Sequence, residues 1–200
     1  LFAAVLAEHR GGSWSPDVDG ATITQLTPAT LKRFLDRDCG TIRRAVVAGA
    51  ALDPMLRDRA RAMGLDVLHY YGAAELSMVA TGTASDDLQL FDGVDVDVRD
   101  GVLWVRSPWL SRGYLEPDDA APLRYDSAGF MSVGDHGRLA DSCLTVEGRP
   151  GAVTTAGQTV MLAPLEHRLR EQARGDIVLV GAPDPLVGEV LTVIVSDADD

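Results

Sequence analysis

The sequence predicts an α/β chain: a largely parallel sheet with helices, a small β-rich, barrel-like subdomain and the start of a hinged C-terminal α+β domain. Strand-like and helix-like segments alternate up to residue 71, and such alternation is typical of parallel sheets. Beyond residue 80 the apolar period changes to two, the pattern of half-buried antiparallel strands. A Gly-Arg-Pro-Gly run at 148–151 then separates this region from a last helix and two strands.

The first region carries the start and stop signals of two helices placed between three strands. Thr27-Pro28 and Asp53-Pro54 each put a capping side chain before a proline, and Gly64 follows the second helix. A capping oxygen satisfies free backbone N–H groups, proline fits the first helical position, and glycine readily ends a helix. The predicted order is strand 21–26, helix 28–36, strand 44–48, helix 54–63 and strand 66–71, preceded by an amphipathic helical segment at 1–9.

The later regions are predicted from shorter patterns. Segments 94–98 and 102–105 alternate apolar and polar residues, and 99–101 reads as their hairpin turn. Further strands are expected at 131–133 and 144–146, a loop at 81–85, a helix at 164–172, and strands at 177–180 and 190–195. We therefore divide the chain into residues 1–148 (1–85 α/β, 86–148 β-rich), a hinge at 149–152 and residues 153–200.

Composition limits the classes of partner. The net charge of −12 argues against a protein that binds a phosphate backbone, so no nucleic acid is expected. No apolar run is long enough to span a bilayer, so no transmembrane segment is predicted.

Cys39 and Cys143 have no metal-ligand spacing, which favours a reducing, cytoplasmic setting. Only one of the 18 basic residues is a lysine, Lys32, and a step that needs a lysine therefore has one candidate.

Two carboxylates follow glycines at the ends of strand-like runs. Glu75 comes after the run that ends in Tyr71-Gly72, and Asp135 comes after the run at 130–133 and Gly134. A carboxylate in such a place can coordinate a magnesium ion or accept hydrogen bonds from a ribose diol. Together the two carboxylates predict a site for a nucleotide.

Each candidate also has a plain structural interpretation. Glu75 could be an exposed carboxylate at a helix start, and Asp135 could cap a turn. Tyr71 could be a half-buried aromatic side chain at a strand end, and Arg149 could form a surface ion pair of little consequence. The four histidines share no metal-ligand spacing, and we interpret each as structural, although His69 and His136 adjoin motifs and could line the pocket.

Five short motifs occur in an order that resembles the adenylate-forming superfamily, which includes acyl-CoA synthetases, adenylation domains and luciferases. Each motif alone is a weak signal, but their order and spacing make the resemblance specific. It covers the chain from about residue 21 to residue 200, and its details are closest to compact acyl-CoA synthetases. The motifs are Ala48–Leu52, Tyr71–Glu75, Gly113–Leu115, Gly129–Asp135 and Gly148-Arg149, followed by a glycine loop and helix at 153–166.

The resemblance implies a role for each motif. Glu75 would be catalytic and would hold Mg²⁺, while Asp135 and Arg149 would bind the ribose. The residues implied to contact adenine are Gly49, Ala50, Ala51, Tyr71 and Gly72. It also implies ATP or AMP, Mg²⁺ and coenzyme A as cofactors and co-substrates, with a carboxylic acid as substrate; residues 1–148 would then be part of an adenylation domain. Neither the acid, the thiol acceptor nor a homo-oligomeric state follows from the sequence.

Four departures from the family pattern keep two other functions open. The Gly/Ser/Thr-rich phosphate loop with its lysine does not precede these motifs, and the lysine of the C-terminal domain is not found, because Lys32 lies in an early helix. Ala74 stands where the family has threonine, and Gly151 where it has an aspartate or lysine. The alternatives are a degenerate module that binds a nucleotide or acyl-adenylate without turnover, and a structural fragment of a larger enzyme.

Overall fold

The computed structural model describes residues 11–13, 15, 20–115, 123–155, 157–172, 175–184 and 187–196. The amphipathic segment predicted at 1–9 lies outside the described residues, as does the acidic end at 197–200. Within the described part, the helices are α1 (Pro28–Phe34), α2 (Pro54–Ala62) and α3 (Leu162–Arg170). None of them has the length and apolar composition that crossing a membrane requires.

The strands form two sheets. The first contains eleven strands in the order β1-β2-β3-β4-β5-β11-β10-β7-β9-β8, with β6 paired to β7. The second contains four strands in the order β13-β12-β15-β14. The strand bounds are β1 Ile23–Leu26, β2 Arg44–Val47, β3 Asp66–Ala73, β4 Ser77–Gly82, β5 Leu88–Leu90, β6 Asp95–Arg99, β7 Val102–Arg106, β8 Arg124–Tyr125, β9 Met131–Ser132, β10 His136–Ala140, β11 Cys143–Gly148, β12 Ala152–Thr155, β13 Gln158–Met161, β14 Ile177–Asp184 and β15 Gly188–Val195.

The predicted strand–helix alternation of the first region is confirmed. β1, β2 and β3 pair in parallel, and α1 and α2 connect them. Thr27 forms a capping box with Thr30, and the Asp53 side chain accepts from Met55 N. Both helices share one core with these strands, and its fully buried members include Leu31, Ala45, Val47, Ala60 and Val67.

The prediction of a largely parallel sheet is wrong. Only the β1–β2 and β2–β3 pairings of the large sheet are parallel, and every other described pairing in it is antiparallel. The physical reason is the short link after β3: residues 74–76 form a turn, and a parallel pairing needs a crossover of a dozen or more residues. The loop predicted at 81–85 is partly wrong as well, because Thr81 and Gly82 end β4.

The β-rich region continues the same sheet. Its hairpin of β6 and β7 turns at Asp100 and Gly101, with φ values of 50° and 80°, which is the turn that matches strand twist. The described strands follow an open path that ends at β8, so the pairings do not give the barrel that the sequence suggested. A second core, with Leu88, Leu103, Val105, Met131 and Leu144 fully buried, fills this region.

The last part of the chain forms the second sheet with α3. Glu166 on α3 accepts from Leu179 N on β14 at 2.8 Å, which attaches the helix to that sheet. The change from one sheet to the other falls between Gly148 and Ala152, where the sequence predicts a hinge; Ala152 itself already begins β12. Movement at this junction stays a prediction.

Candidate active site

Tyr71 and Arg149 each form a hydrogen bond with the carboxylate of Asp135. The Tyr71 hydroxyl donates to Oδ2 of Asp135 at 2.8 Å, and Nε of Arg149 donates to Oδ1 at 2.9 Å. The side chains of Asp135 and Arg149 are only 14% and 22% exposed. The ion pair is therefore shielded from water, unlike the surface pair that the plain interpretation of Arg149 assumed.

The backbone around Asp135 is fixed by its neighbours. Gly134 has a φ of +85°, a conformation that favours glycine, and this bend separates β9 from β10. The carbonyl of Asp135 accepts from Leu103 N at 2.8 Å. The Ser132 hydroxyl donates to Leu103 O at 2.7 Å and accepts from Gly134 N at 3.1 Å. These hydrogen bonds fix Asp135 beside Leu103 on β7 and Ser132 on β9, next to the second core.

Burial raises the pKa of Tyr71 well above its ordinary value of 10, and the negative charge of Asp135 raises it further. The phenol therefore keeps its proton at neutral pH and acts as a hydrogen-bond donor to Asp135. Gly72 follows in β3 at a bulge, where a Cβ would collide with the backbone carbonyl oxygen of Ser77. A glycine is consequently required directly beside Tyr71.

Glu75 lies in the turn between β3 and β4, so no helix begins there and the helix-start interpretation is wrong. Its Oε1 accepts from the Tyr114 hydroxyl at 2.6 Å, and its backbone carbonyl accepts from Ser111 N at 2.8 Å. The Ser111 hydroxyl is buried without a hydrogen-bond partner within the described part of the chain. Glu75 therefore faces the 111–114 segment through two contacts.

The partners of the two carboxylates line one cavity. Tyr114, which binds Glu75, and Arg149, which binds Asp135, both border a space of about 200 Å³. Its remaining lining comes from the β-rich region and from the first residues of the last region: Val102, Leu123, Arg124, Val133, Gly134, His136, Pro150 and Met161. Glu75 and Asp135 are each one hydrogen bond away from a residue that lines this cavity, but neither carboxylate is itself part of the lining.

The predicted adenine loop, residues 48–52, makes its contacts with residues other than Tyr71, Asp135 and Arg149. Gly49 has a φ of +91°, and a Cβ placed on it would lie 3.4 Å from the Cα of Gly157. Gly49 and Ala51 are exposed, and Ala50 is half-buried. The contacts of the loop run to Gly157 and to Ser85 rather than to Tyr71, as far as the described residues show. The structure therefore brings Tyr71, Asp135 and Arg149 together, but within the described part of the chain it shows no hydrogen bond from Gly49–Ala51 to this group.

The structure places three polar side chains near these motifs in contacts that the sequence did not predict, although the position of His69 beside a motif was an open candidate. Tyr114 belongs to a motif that was noticed, yet its hydroxyl was not expected at Glu75. His69 and Ser85 form a polar chain below the adenine loop: Leu52 N donates to Ser85 Oγ at 2.8 Å, and Ser85 Oγ lies 3.3 Å from His69 Nε2. His69 Nδ1 lies 3.1 Å from Val47 O. A histidine two residues before Tyr71, on the same strand face, is the one signal that the sequence offered.

A neutral His69 makes stability depend on pH. Burial lowers the pKa of His69 below its usual 6.5, although the bond to Val47 O partly opposes this shift. The unfolded chain therefore binds more protons than the folded chain between the two pKa values. We expect the unfolding free energy to fall as pH drops below about 6.5, down to the lower folded-state pKa.

The check is a series of urea midpoints between pH 8 and pH 5. The wild-type midpoint should fall more steeply than that of His69→Gln, which cannot take up this proton. His167→Gln is the matched control, because the His167 side chain is 79% exposed. Equal pH slopes for wild type and His69→Gln would contradict the assignment of a buried neutral imidazole.

The described residues contain no group of three acidic, histidine or cysteine side chains that could enclose a metal. A single carboxylate nevertheless fits magnesium, because Mg²⁺ keeps several waters and is often held by one or two carboxylates together with substrate phosphates. Glu75 has its Oε1 on Tyr114 and is the residue suited to such an ion. A role for Glu75 in holding Mg²⁺ stays a prediction, in which substrate phosphates would supply the other ligands.

Comparison with known proteins identifies relatives of one kind. No protein-family model matches the chain. It is 31% identical to a probable 2-succinylbenzoate–CoA ligase of Mycobacterium tuberculosis over 195 residues, which are 89% of this chain and 48% of that protein. It is 27% identical to the acyl-CoA ligase cm3C of Cordyceps militaris, over 76% of this chain and 28% of that protein.

A solved structure agrees with these relatives. The amide bond synthetase McbA of Marinactinospora thermotolerans superposes with a TM-score of 0.76 and 26% identity, covering 91% of this chain and 43% of that one. The two curated relatives are thus named as CoA ligases, and the solved structure is that of an amide bond synthetase. The chain belongs to the adenylate-forming superfamily and is similar to its acyl-CoA ligases. It spans less than half the length of these three proteins.

Proposed function

We propose that this chain forms part of an ATP-dependent ligase that activates a carboxylic acid as an acyl-adenylate and transfers the acyl group to coenzyme A. The observation that carries the proposal is the contact of Tyr71 and Arg149 with the two oxygens of Asp135. A carboxylate oriented in this way has lone pairs left to accept hydrogen bonds from a ribose diol. The relatives named above support the reaction class, and a cytoplasmic location stays part of the prediction.

The roles of the residues follow from their chemistry. Asp135 would accept from the ribose hydroxyls, Arg149 would orient Asp135 and neutralise its charge, and the Tyr71 ring would face the adenine. The backbone of Gly49–Ala51 and Gly72 would bound the base, because a glycine has no Cβ to block the close approach of a flat ring. Glu75 would hold Mg²⁺, and this ion would supply positive charge beside the phosphates.

The reaction balances in two steps. A substrate carboxylate oxygen bonds to the α-phosphorus of ATP while the bond to the β-phosphate bridging oxygen breaks, and pyrophosphate leaves. The sulfur of coenzyme A, after loss of its proton, then bonds to the acyl carbon, and AMP leaves with the electrons of the broken C–O bond. Positioning and electrostatic stabilisation carry such chemistry.

A second function is favoured by the residue beside Glu75. Ala74 has no hydroxyl to offer to a phosphate or a metal-bound water, and Lys32 lies on α1 rather than on the lining of the cavity. A module that binds a nucleotide or an acyl-adenylate without turnover would have these properties. Isothermal calorimetry with AMP and ATP, followed by pyrophosphate release with a panel of carboxylic acids, separates the two functions. Pyrophosphate release supports the first function, and absence of nucleotide binding contradicts both. Because this chain is proposed to be part of a longer ligase, binding without release supports the second function only if the full-length protein that contains this chain gives the same result.

Replacing Tyr71 separates the ring from the hydroxyl. Tyr71→Phe removes the donor to Asp135 but keeps the ring, so we expect AMP affinity to change by less than about threefold. Tyr71→Ala also removes the ring and should cost about 1–3 kcal/mol of binding, the usual size of a base–aromatic contact. Calorimetry with AMP measures both variants. Equal losses in Phe and Ala would show that the ring does not contact the base.

A further inference from the structure

The polar chain of His69 and Ser85 joins the two ends of the loop at 48–52. Val47 O is the last carbonyl before the loop, and Leu52 N belongs to its last residue. His69 is 4% exposed and Leu52 is 3% exposed, whereas Ser85, which joins them, is half-buried, so the chain of hydrogen bonds is partly shielded from water. A loop whose two ends are joined through a pair of side chains can only move if this chain opens.

The hydrogen bonds of this chain have one consistent direction. Leu52 N–H can only donate, so Ser85 Oγ accepts from it and has its own proton left for His69 Nε2. Val47 O can only accept, so the proton of the neutral imidazole is on Nδ1. One tautomer of His69 therefore satisfies all three contacts, and removing Ser85 leaves both the Leu52 amide and the imidazole nitrogen without this partner.

The loop has few other attachments. Its first amide, Ala48 N, donates to Leu26 O at 3.1 Å. Gly49, with its φ of +91°, is exposed and lies against Gly157. The position of residues 49–51, of which only Ala50 is half-buried, therefore depends on the two fixed ends. The same strand carries His69 and Tyr71, so one rigid element supports both the loop and the Tyr71–Asp135–Arg149 group.

We propose that His69 and Ser85 are positioning residues for the nucleotide, acting through the 48–52 loop. This rests on the proposed function, because it assigns to the loop the role of a wall against the base. The two side chains do not touch the ligand; they fix the backbone that would. An ordered loop binds a flat ring without first losing conformational freedom, whereas a loosened loop must be ordered at the expense of affinity.

The test uses Ser85→Ala, with Ser85→Thr as the variant that restores a hydroxyl. Two quantities are measured: the hydrogen-exchange rate of the Leu52 amide without ligand, and the AMP dissociation constant by calorimetry. Ser85→Ala should accelerate exchange and weaken AMP binding about 3- to 10-fold, the ratio that the loss of one hydrogen bond produces. Ser85→Thr should return both values toward wild type, and thermal midpoints establish that each variant is folded.

A control variant and three contrary outcomes distinguish the positioning role from the proposed function. Asp66→Ala removes a surface partner of Arg44 at the start of the same strand and should alter neither quantity. Faster Leu52 exchange with unchanged AMP affinity would make the pair merely structural and overturn the positioning role alone. Unchanged exchange in Ser85→Ala would overturn the chain of hydrogen bonds itself. A wild-type chain that binds no AMP would remove the proposed function, and the positioning role with it.

Discussion

Replacing Asp135 with alanine is expected to weaken AMP binding by about 10- to 100-fold. Hydrogen bonds to a charged acceptor are worth about 1.5–3 kcal/mol, and every 1.4 kcal/mol is a factor of ten. The same change leaves Arg149 and the Tyr71 hydroxyl without their acceptor in a shielded place. Because a buried charge without a partner is destabilising, we also expect a lower unfolding free energy.

Calorimetry measures the affinity, and urea unfolding measures the stability of the same samples. Asp66→Ala is the matched control, since it also removes an aspartate from an arginine pair, but one whose side chains are 53% and 61% exposed. Exposed pairs contribute little, so this variant should keep both values. If AMP affinity were equal in wild type and Asp135→Ala, Asp135 would have no part in nucleotide binding.

Replacing Leu103 with alanine is expected to cause a large loss of stability, about 2–5 kcal/mol. Leu103 is 1% exposed, in the middle of the second core. Its backbone is bonded to both Asp135 O and the Ser132 hydroxyl, so a cavity here would also loosen the turn that carries Asp135. We therefore expect AMP affinity to fall together with stability, even at temperatures where the variant is folded.

Leu115→Ala provides the control for this change. It deletes the same atoms from a fully exposed side chain. Such a deletion should change the unfolding free energy, measured by urea unfolding, by less than about 0.5 kcal/mol. A Leu103→Ala protein that unfolds at the wild-type midpoint would show that the second core does not depend on this residue.

The local elements were predictable where start and stop signals were strong. Thr27-Pro28 and Asp53-Pro54 gave both helices, and apolar runs gave β1, β2 and β3. Strand direction was not predictable, because the apolar run at Met78–Ala80 has the same composition whether its neighbours are parallel or antiparallel. The short turn at 74–76 decided it, and the strand after that turn was not predicted.

The sequence supplied candidate site residues, whose roles stay predictions, but it did not predict the contacts between them. Motif order pointed to Tyr71, Asp135 and Arg149, yet the Tyr71–Asp135 bond joins residues 64 positions apart, and no local pattern encodes that distance. The pair of His69 and Ser85 is likewise set by the hairpin of β3 and β4, whose register follows from tertiary packing. Side-chain partners across a sheet are decided by the fold as a whole.

A thermodynamic cycle that combines one mutation with the removal of the ribose hydroxyls from the ligand is the most direct test of the role given to Asp135. AMP and 2′,3′-dideoxy-AMP are titrated into wild type and into Asp135→Ala, and the four dissociation constants are compared. We predict that wild type prefers AMP by about 10-fold or more and that Asp135→Ala loses most of this preference. An equal preference for AMP in both proteins would contradict the account, because the diol would then be bound elsewhere.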